Sequence, residues 1–256
     1  MLKEQRQELI IKALKDQEHV TIEQLVTALG VSAETIRRDL ITLERKSRLR
    51  RTHGGAVLDD STTNEYSIEE RLRSNKDEKM AMCHLAAQLV EDGESIGIVA
   101  STTTLSLGTM LAAKNNLTVV TNSLIIGSAI ATNETNKVIL TGGDLWLADQ
   151  KLMGEQAEKG FGQYVVDKVF FSGRGISEVH GVTEYNSKEC ELTRAAVRSA
   201  DCVVFLNDHS KFDVAAFRKV IPVSNLDYLI TDWRTDSKVI STYSGMGMRV
   251  LQAKRL

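Results

Sequence analysis

The chain has 256 residues, of which 42% are hydrophobic, so it is long enough for one large domain and a smaller one. No apolar run approaches the ~20 residues of a membrane helix, and the N-terminus has a charged helical pattern unlike a secretory signal. The three cysteines are widely spaced without a CxxC pair, and the five histidines do not fall at metal-ligand spacings. We therefore expect a cytoplasmic protein with reduced thiols and with neither a metal nor a cofactor.

Charge is distributed unevenly along the chain. The formal net charge is −2, but residues 34–55 carry seven Lys or Arg against three Asp or Glu. The chain after residue 58 carries 21 against 26. A basic segment on an acidic body is the place where a polyanion would bind.

A helix-turn-helix pattern occupies about residues 20–39. The apolar residues of its first helix lie at i, i+3, i+4 and i+7, namely Ile22, Leu25, Val26 and Leu29. Thr21 is a suitable N-cap for this helix, and Gly30 can adopt the left-handed conformation that ends it. An upstream helix over residues 3–14 would complete a three-helix core.

The second helix of the pattern would expose a polar face. Ser32 is its predicted N-cap, and its buried positions would be Ile36, Leu40 and Leu43. Thr35, Arg37, Arg38 and Thr42 then face solvent. A helix that lies in the major groove reads base edges with its first turns, and bidentate Arg contacts to guanine are the commonest specific pairing.

A basic hairpin follows over residues 48–55. Alternation places Leu49 inward and Arg48 and Arg50 outward, and the paired glycines allow a tight reversal, so we predict a two-stranded wing. The predicted DNA contacts are Ser32, Thr35, Arg37, Arg38, Thr42, Arg48, Arg50, Arg51 and His53. An arginine pair alone can equally be a solvated helix face, but turn, wing and charge together favour double-stranded DNA.

The runs TIRRDL…LE and RRTHGGA closely resemble the pattern of the DeoR family of bacterial sugar-metabolism repressors. The resemblance extends to TTT at 102–104, TNS at 121–123, LTGG at 140–143 and DHSKF at 208–212. The chain departs from the family pattern twice. Ser47 replaces a glycine before the wing, and Val99-Ala100-Ser101 replaces an Asp-x-Gly, which removes a carboxylate that could orient a sugar hydroxyl.

The body of the chain alternates β-rich runs with helical stretches. The predicted strands are 95–100, 117–121, 137–141, 168–172, 202–206 and 228–231, and the predicted helices are 76–90, 103–113, 125–132, 151–164 and 187–200. Such alternation predicts a mostly parallel sheet that is covered on both faces. Ligands of these sheets bind at the carboxyl ends of the strands.

Polar and glycine-rich segments follow the predicted strands. Residues 101–104 offer four hydroxyls between a strand and a helix, which suits a phosphate, although a plain helix cap needs one hydroxyl only. The Asn122 segment can be a simple cap, Gly142-Gly143 a simple turn, and Lys211 a solvated side chain. Arg174 on a glycine-flanked loop is a natural anion clamp. The predicted effector contacts are Ser101, Thr102, Thr103, Thr104, Asn122, Gly142, Gly143, Arg174, Glu191 and Lys211.

Carboxylates follow the Arg174 loop. The resemblance implies that the C-terminal domain has a fold like ribose-5-phosphate isomerase and the CoA transferases, in which carboxylates transfer protons. Glu191 or Glu184 would then recognise sugar hydroxyls, or both lie on an exposed helix face. No catalytic residue is assigned.

The predicted organisation has three parts. Residues 1–58 form a small α+β winged helix-turn-helix domain, residues 59–75 a linker, and residues 76–256 an α/β domain with a mostly parallel sheet. The predicted function is that of a DNA-binding repressor of a carbohydrate operon, which is not an enzyme and is released from its operator by a phosphorylated sugar. We expect a homo-oligomer, since one small head gains little specificity. The alternatives are an isomerase-like enzyme with an ancillary DNA-binding head and a constitutive DNA-binding protein whose body only oligomerises.

Overall fold

A computed structural model of the chain describes residues 3–17, 19–45, 49–52, 54–57 and 68–256. The chain divides into two compact units, residues 1–67 and residues 68–256. The division falls inside the predicted linker, of which residues 59–67 lie outside the described residues.

The first unit is a three-helix core with a small sheet. Its elements in chain order are α1 Lys3–Gln17, β1 His19–Thr21, α2 Ile22–Leu29, α3 Ala33–Arg45, β2 Arg50–Thr52 and β3 Gly55–Val57. The core contains Ile10 and Leu14 of α1, Leu25 of α2, and Ile36, Leu40 and Leu43 of α3. The helical stripes predicted from the sequence are therefore confirmed as the buried faces.

Both ends of α2 form as predicted. Thr21 Oγ1 accepts a bond from the backbone N of Gln24 at 3.1 Å, and Gln24 Oε1 accepts one from the backbone N of Thr21 at 2.7 Å. Gly30 ends the helix in the left-handed conformation, with φ of 64°. A reciprocal cap of this kind contributes about 0.5–2 kcal/mol to helix stability.

The wing has three strands where the sequence predicted two. β2 and β3 pair antiparallel as expected, but β3 also pairs with β1, so that the order is β1-β3-β2. β1 has only three residues, so it is too short to be recognised in the sequence from alternating polar and apolar residues. Gly55 lies opposite Thr21 in this pairing, and a Cβ added to Gly55 would lie 2.0 Å from the carbonyl oxygen of Val20. Glycine is therefore required at position 55 by the close approach of β1.

The second unit is built on a seven-stranded sheet that is parallel throughout. Its elements in chain order are α4 Ile68–Arg73, α5 Lys76–Gln88, β4 Ser95–Ile98, α6 Leu105–Leu111, β5 Thr118–Thr121, α7 Leu124–Ile130, β6 Lys137–Leu140, β7 Asp144–Trp146, β8 Lys151–Met153, α8 Glu155–Gly162, β9 Val166–Phe171, β10 Gly175–Ser177, β11 Gly181–Glu184, α9 Ser187–Arg198, β12 Ala200–Leu206, β13 Arg218–Ile221, β14 Tyr228–Thr231, α10 Ser237–Gly245 and β15 Arg249–Gln252. The sheet order is β15-β14-β12-β9-β4-β5-β6. All six predicted strands belong to this sheet, and β15 extends it at one edge.

Helices cover both faces of the sheet. Val169 and Phe171 of β9 belong to one hydrophobic cluster, and Phe170 between them belongs to another. Helices α8 and α9 contribute Phe161 and Leu192 to the first cluster, while α5, α6 and α7 contribute to the second. Strands buried on both faces explain why the sequence shows continuous apolar runs.

The direction of winding reverses between β4 and β9. From β4 the chain adds β5 and β6 on one side, and β9, β12, β14 and β15 then extend the sheet on the other side. Such a topological switch point leaves a crevice outside the carboxyl ends of the two neighbouring strands, where ligands of open α/β sheets bind.

One predicted helix begins later than expected. Residues 151–153 form β8, which pairs with β7 in a hairpin, and helix α8 begins only after Gly154, whose φ is 92°. A second small sheet, β10-β11-β13, is antiparallel. The strands of the β7–β8 and β10–β11 hairpins are short, and β11 also pairs with the distant strand β13, so helical periodicity cannot reveal these sheets. Over the described ranges no helix is both long and apolar enough to cross a lipid bilayer.

Candidate nucleic-acid interface and ligand site

Helix α3 presents two arginines on the surface of the first unit. The side chains of Arg37 and Arg38 are 58% and 78% exposed, and each approaches Glu34, at 3.8 Å and 3.3 Å. Exposed ion pairs of this kind contribute about 0–1 kcal/mol. Both guanidinium groups can therefore exchange Glu34 for a base edge or a phosphate.

The predicted polar residues around the arginines fix the start and the face of α3. Ser32 Oγ accepts a bond from the backbone N of Thr35 at 3.2 Å, which confirms the predicted cap, and lies 2.9 Å from Thr35 Oγ1. Thr42 Oγ1 donates to the carbonyl oxygen of Arg38 at 2.9 Å. These three hydroxyls are engaged within the helix.

A carboxylate anchors the first strand of the wing. Glu44 accepts bonds from the backbone N and the Nε of Arg51 at 3.0 Å and 2.6 Å, and these bonds hold the pKa of Glu44 below its usual value. Arg50 belongs to the same strand, β2. Arg48 and His53 were predicted to contact DNA but lie outside the described residues, as does Ser47.

The segment after β4 lies at the switch point of the second unit, and buried bonds hold it. Thr104 is fully buried, and its Oγ1 donates to the carbonyl oxygen of Val99 at 2.8 Å and accepts from the backbone N of Ser101 at 3.0 Å. Asn122, also fully buried, accepts a bond from the backbone N of Ala100 at 2.8 Å and donates to the carbonyl oxygen of Leu152 at 3.0 Å. Thr104 and Asn122 thus shape this segment from behind.

Hydroxyls from the two strands of the switch point meet in the crevice. Ser172, which follows β9, lies 3.4 Å by its Oγ from Thr103 Oγ1. Ser101 and Thr102 are half-buried beside them. These side chains can donate hydrogen bonds to a ligand oxygen that sits between β4 and β9.

Two lysines converge on the hydroxyls. Lys79 of α5 is 6% exposed, and its Nζ lies 3.4 Å from Thr102 Oγ1 and donates to the carbonyl oxygen of Arg71. Burial and the charge of Lys211 lower the pKa of Lys79 to about 8. Lys211 Nζ lies 3.2 Å from the carbonyl oxygen of Gly173 and 3.5 Å from Ser172 Oγ. Burial also lowers the pKa of Lys211, although Asp208 at 3.7 Å opposes the shift.

The lowered pKa of both buried lysines means that an anion beside them would stabilise their protonated forms. Arg71 reinforces this effect, since its charge also disfavours protonation of both lysines. Arg71 Nε is buried and finds no hydrogen-bond acceptor among the described residues. A buried donor of this kind is uncommon in folded proteins and calls for a partner.

Carboxylates line the other side of the crevice. Glu184, at the end of β11, has its pKa raised to about 7 by burial and by the nearby charge of Glu189. Glu189 in turn pairs with Lys151 at 2.5 Å, and Lys151 pairs with Asp149 at 2.8 Å. A cationic side and an acidic side suit a ligand that carries a phosphate and several hydroxyl groups.

The four remaining predicted contacts are Glu191, Gly142, Gly143 and Arg174, and of these Arg174 lies near Lys211 in the crevice. Glu191 lies on the exposed side of α9 and pairs with Arg194 at 2.5 Å, apart from Glu189 and Glu184. Gly142 and Gly143 have φ of 75° and 108°, and a Cβ on Gly143 would lie 2.5 Å from the carbonyl oxygen of Met153, so both glycines serve the turn before β7. Arg174 stacks over the ring of Tyr185 at 5.7 Å and helps to lower the pKa of Lys211. The structure thus brings Arg174 to the crevice and does not bring Glu191 there.

Sequence reasoning missed Lys79, Arg71 and Ser172. Lys79 precedes the sheet in the sequence, within a run of charged residues. It nevertheless lies at helical spacing from Met82, Cys83 and Ala86, all of which are buried. A lysine in register with an apolar stripe was the available signal.

A winged helix-turn-helix unit with exposed arginines, followed by an α/β unit with a charged crevice, defines a DNA-binding regulator that carries a ligand-sensing domain. Residues 6–62 match the DeoR-like helix-turn-helix domain, and residues 74–233 match the DeoR C terminal sensor domain. The chain therefore belongs to the DeoR family of transcriptional regulators.

Curated relatives match over nearly the whole chain. The HTH-type transcriptional repressor GlcR of Bacillus subtilis is 34% identical over 91% of this chain and 89% of its own length. The glycerol-3-phosphate regulon repressor of Escherichia coli K12 is 31% identical over 91% and 92%. The putative aga operon transcriptional repressor of Escherichia coli O157:H7 is 30% identical over 89% and 86%. A solved structure of ribose 5-phosphate isomerase A from Methanocaldococcus jannaschii is 18% identical, with a TM-score of 0.40 over 54% of this chain and 55% of that chain.

Proposed function

We propose that this regulator represses a carbohydrate operon in the cytoplasm and that a small phosphorylated sugar or polyol releases it from its operator. The observation that carries the effector assignment is the convergence of Lys79, Lys211 and the Thr102–Thr103 hydroxyls at the β4–β9 switch point. The buried Nε of Arg71, which meets no acceptor in the part of the chain that the structure describes, adds a donor for a ligand oxygen. One relative is named for the glycerol-3-phosphate regulon, and glycerol 3-phosphate is a phosphorylated polyol of the proposed class.

The phosphate end of the ligand would lie between Lys79 and Lys211 and compensate their positive charges. A dianion between Lys79 and Lys211 would restore the protonated form of both and would accept bonds from Thr102, Thr103 and Ser172. The hydroxyl end would face Glu184 and Glu189. Glu184 replaces Glu191 as the proposed sugar contact, since Glu191 pairs with Arg194 instead.

DNA reading is assigned to α3 and the wing. Arg37 and Arg38 are the proposed base readers, and Arg50 and Arg51 the proposed backbone contacts. One small head gains limited specificity, so we propose that the protein acts as a homo-oligomer that places two heads on a repeated or inverted site.

A thermal-shift panel on the full chain tests the effector assignment. Glycerol 3-phosphate and hexose 6-phosphates should raise the melting temperature, and their dephosphorylated counterparts should not, because only a ligand that binds the native state stabilises it. The same compounds should release the protein from a duplex that it selects from a random pool. Failure of every phosphorylated compound on both readouts would refute a phosphate effector.

Thr102→Asp tests the position of the phosphate. The new carboxylate would pair with Lys79 and repel a dianion, so stabilisation by the ligand should disappear while operator binding persists. Thr132→Asp is the matched control, because Thr132 is an exposed threonine whose hydroxyl donates to the carbonyl oxygen of Ala129 in helix α7. A Thr102→Asp protein that still responds to ligand would place the phosphate elsewhere.

The same samples test the isomerase alternative. Glu184 has a pKa near 7, which suits a general base. If the protein is only a sensor, NMR spectra of an added aldose or ketose phosphate will show binding and no isomerised product. Turnover that is lost in Glu184→Gln would establish the enzyme instead.

A further inference from the structure

The junction between α4 and α5 has an unusual backbone conformation at Asn75. Asn75 occupies the N-cap position of α5 but adopts the left-handed conformation, with φ of 50° and ψ of 41°. Its side chain makes no capping bond to the helix. Asparagine at this position ordinarily accepts a bond from the first turn, so the side chain has been diverted to another partner.

That partner is the segment that carries Lys211. Asn75 Nδ2 donates to Asp208 Oδ1 at 3.0 Å and to Ser210 Oγ at 3.1 Å. Asp208 is almost fully buried, and it also accepts a bond from the backbone N of Ser210 at 3.1 Å. A conformation that costs about 1 kcal/mol or more persists because these bonds hold it.

Asp208 connects this junction to the proposed phosphate site. Its Oδ2 lies 3.7 Å from Lys211 Nζ, and the charge of Lys211, together with the bonds from Ser210 and the charge of Lys79, holds the pKa of Asp208 below its usual value against the effect of burial. A phosphate between the two lysines would compete with Asp208 for both cations and would repel its carboxylate.

We propose that Asn75 is a positioning residue whose bond to Asp208 and Ser210 holds α4 against the Asp208–Lys211 segment, and that a phosphate bound by Lys79 and Lys211 breaks this bond. The proposal rests on the proposed function, since it uses the same phosphate site. When phosphate enters, it takes the cations from Asp208 and repels the Asp208 carboxylate, which turns away from the site, so the Asn75 amide loses its acceptor. Helix α4 begins at Ile68, directly after the first unit ends at residue 67, so release of α4 alters the chain that leads to the DNA-binding unit.

The test is hydrogen–deuterium exchange of residues 68–75 in the full chain, with and without saturating inorganic phosphate. Asn75→Asp removes the donor and places a like charge beside Asp208, and aspartate tolerates the same left-handed backbone. Asn116→Asp is the matched control, because Asn116 has φ of 57°, is exposed and bonds by its backbone N to Thr135.

We expect phosphate to raise exchange across residues 68–75 about tenfold in the wild-type protein, the effect of losing one hydrogen bond to a charged group. Asn75→Asp should show the raised exchange without phosphate and no further rise with it, and Asn116→Asp should behave like the wild-type protein. Phosphorus NMR on the same samples should show that wild-type and Asn75→Asp proteins both bind phosphate.

Two results overturn the proposal. In one, phosphate binds the wild-type protein but exchange of residues 68–75 does not change. In the other, Asn75→Asp and Asn116→Asp have the same exchange without phosphate, which would mean that the Asn75 bond does not stabilise α4. Absence of phosphate binding by the wild-type protein refutes the proposed effector site and the phosphate-driven release together, while the comparison of the two variants still decides whether Asn75 holds α4.

Discussion

Thr102 Oγ1 lies 3.4 Å from the Nζ of Lys79, which brings the segment after β4 into contact with helix α5. A hydroxyl of the predicted phosphate segment therefore has a buried cation as its neighbour. Because burial and Lys211 lower the pKa of Lys79 to about 8, the charge on this cation depends on pH in an accessible range.

Effector affinity should fall as the pH rises above 8. Only protonated Lys79 attracts the phosphate dianion, so affinity should drop by roughly tenfold for each unit of pH above the pKa. Calorimetric titration of the best compound from the panel at pH 7, 8 and 9 measures the slope. Lys79→Arg should reduce the slope, because a guanidinium stays charged, and the remainder would come from Lys211. Equal wild-type affinity at pH 7 and pH 9 would contradict the role of Lys79.

Glu184→Gln should change how stability depends on pH. The folded-state pKa of Glu184 is raised from 4.5 to about 7, so Glu184 favours folding below pH 4.5, and this contribution is lost as the pH rises through 7. The glutamine variant lacks that loss. The difference between its free energy of unfolding and that of the wild-type protein should therefore increase by up to about 3 kcal/mol from pH 4.5 to pH 8.

Urea unfolding of the full chain at pH 5 and pH 8 provides the measurement. Glu134→Gln, at an exposed position, is the control and should follow the wild-type curve. If Glu184→Gln has the same pH dependence as the wild-type protein, Glu184 is not buried against Glu189 in solution.

Local patterns carried most of what the sequence predicted correctly. The Thr21 cap, the Gly30 stop and the stripe of α3 involve residues within a few positions of one another, and all three formed as predicted. The inner strands of the parallel sheet were visible because they are buried on both faces, whereas the edge strand β6 is more exposed. The rim at their carboxyl ends then followed from topology alone.

The missed features depend on contacts distant in sequence. Asn75 and Asp208 are 133 positions apart, and the local sequence around either residue does not indicate a contact with the other. Glu189 and Glu191 differ by two positions, so they face opposite ways on α9, and only the packing of that helix decides which one meets Lys151. The β1 strand is likewise defined by its partner β3.

Arg37→Ala and Arg38→Ala should weaken operator binding. Each change should cost about 1–3 kcal/mol if the arginine reaches a base edge, and less if it reaches a phosphate. A base contact also relaxes sequence preference at one position, which a competition assay with single-base operator variants detects. Lys12→Ala removes an exposed cation from α1 and should leave affinity unchanged. Unchanged affinity in both arginine variants would remove α3 from the DNA interface.

Glu34→Gln should strengthen DNA binding. Glu34 lies within 3.8 Å of both Arg37 and Arg38, so its carboxylate competes with DNA for them and repels phosphates. Its loss should raise affinity a few-fold at low salt, with a smaller gain at high salt because exposed charges are screened. Fluorescence anisotropy at two salt concentrations measures the effect. Weaker binding in Glu34→Gln would instead make this carboxylate a direct contact to a base.

Gly55→Ala should destabilise the DNA-binding unit, whereas Gly54→Ala should not. A Cβ on Gly55 would lie 2.0 Å from the carbonyl oxygen of Val20 and 2.8 Å from the Cα of Thr21, and both are backbone atoms of β1 that cannot turn aside. β1 and β3 would have to separate, at a cost of about 1–3 kcal/mol or more. A Cβ on Gly54 meets no atom within 4 Å, so that variant should stay within about 0.5 kcal/mol of the wild-type protein. Thermal unfolding followed by circular dichroism, together with operator affinity, distinguishes the two variants. The two variants add the same methyl group at adjacent positions. Equal stability of the two would therefore mean that β1 does not pair with β3 in solution.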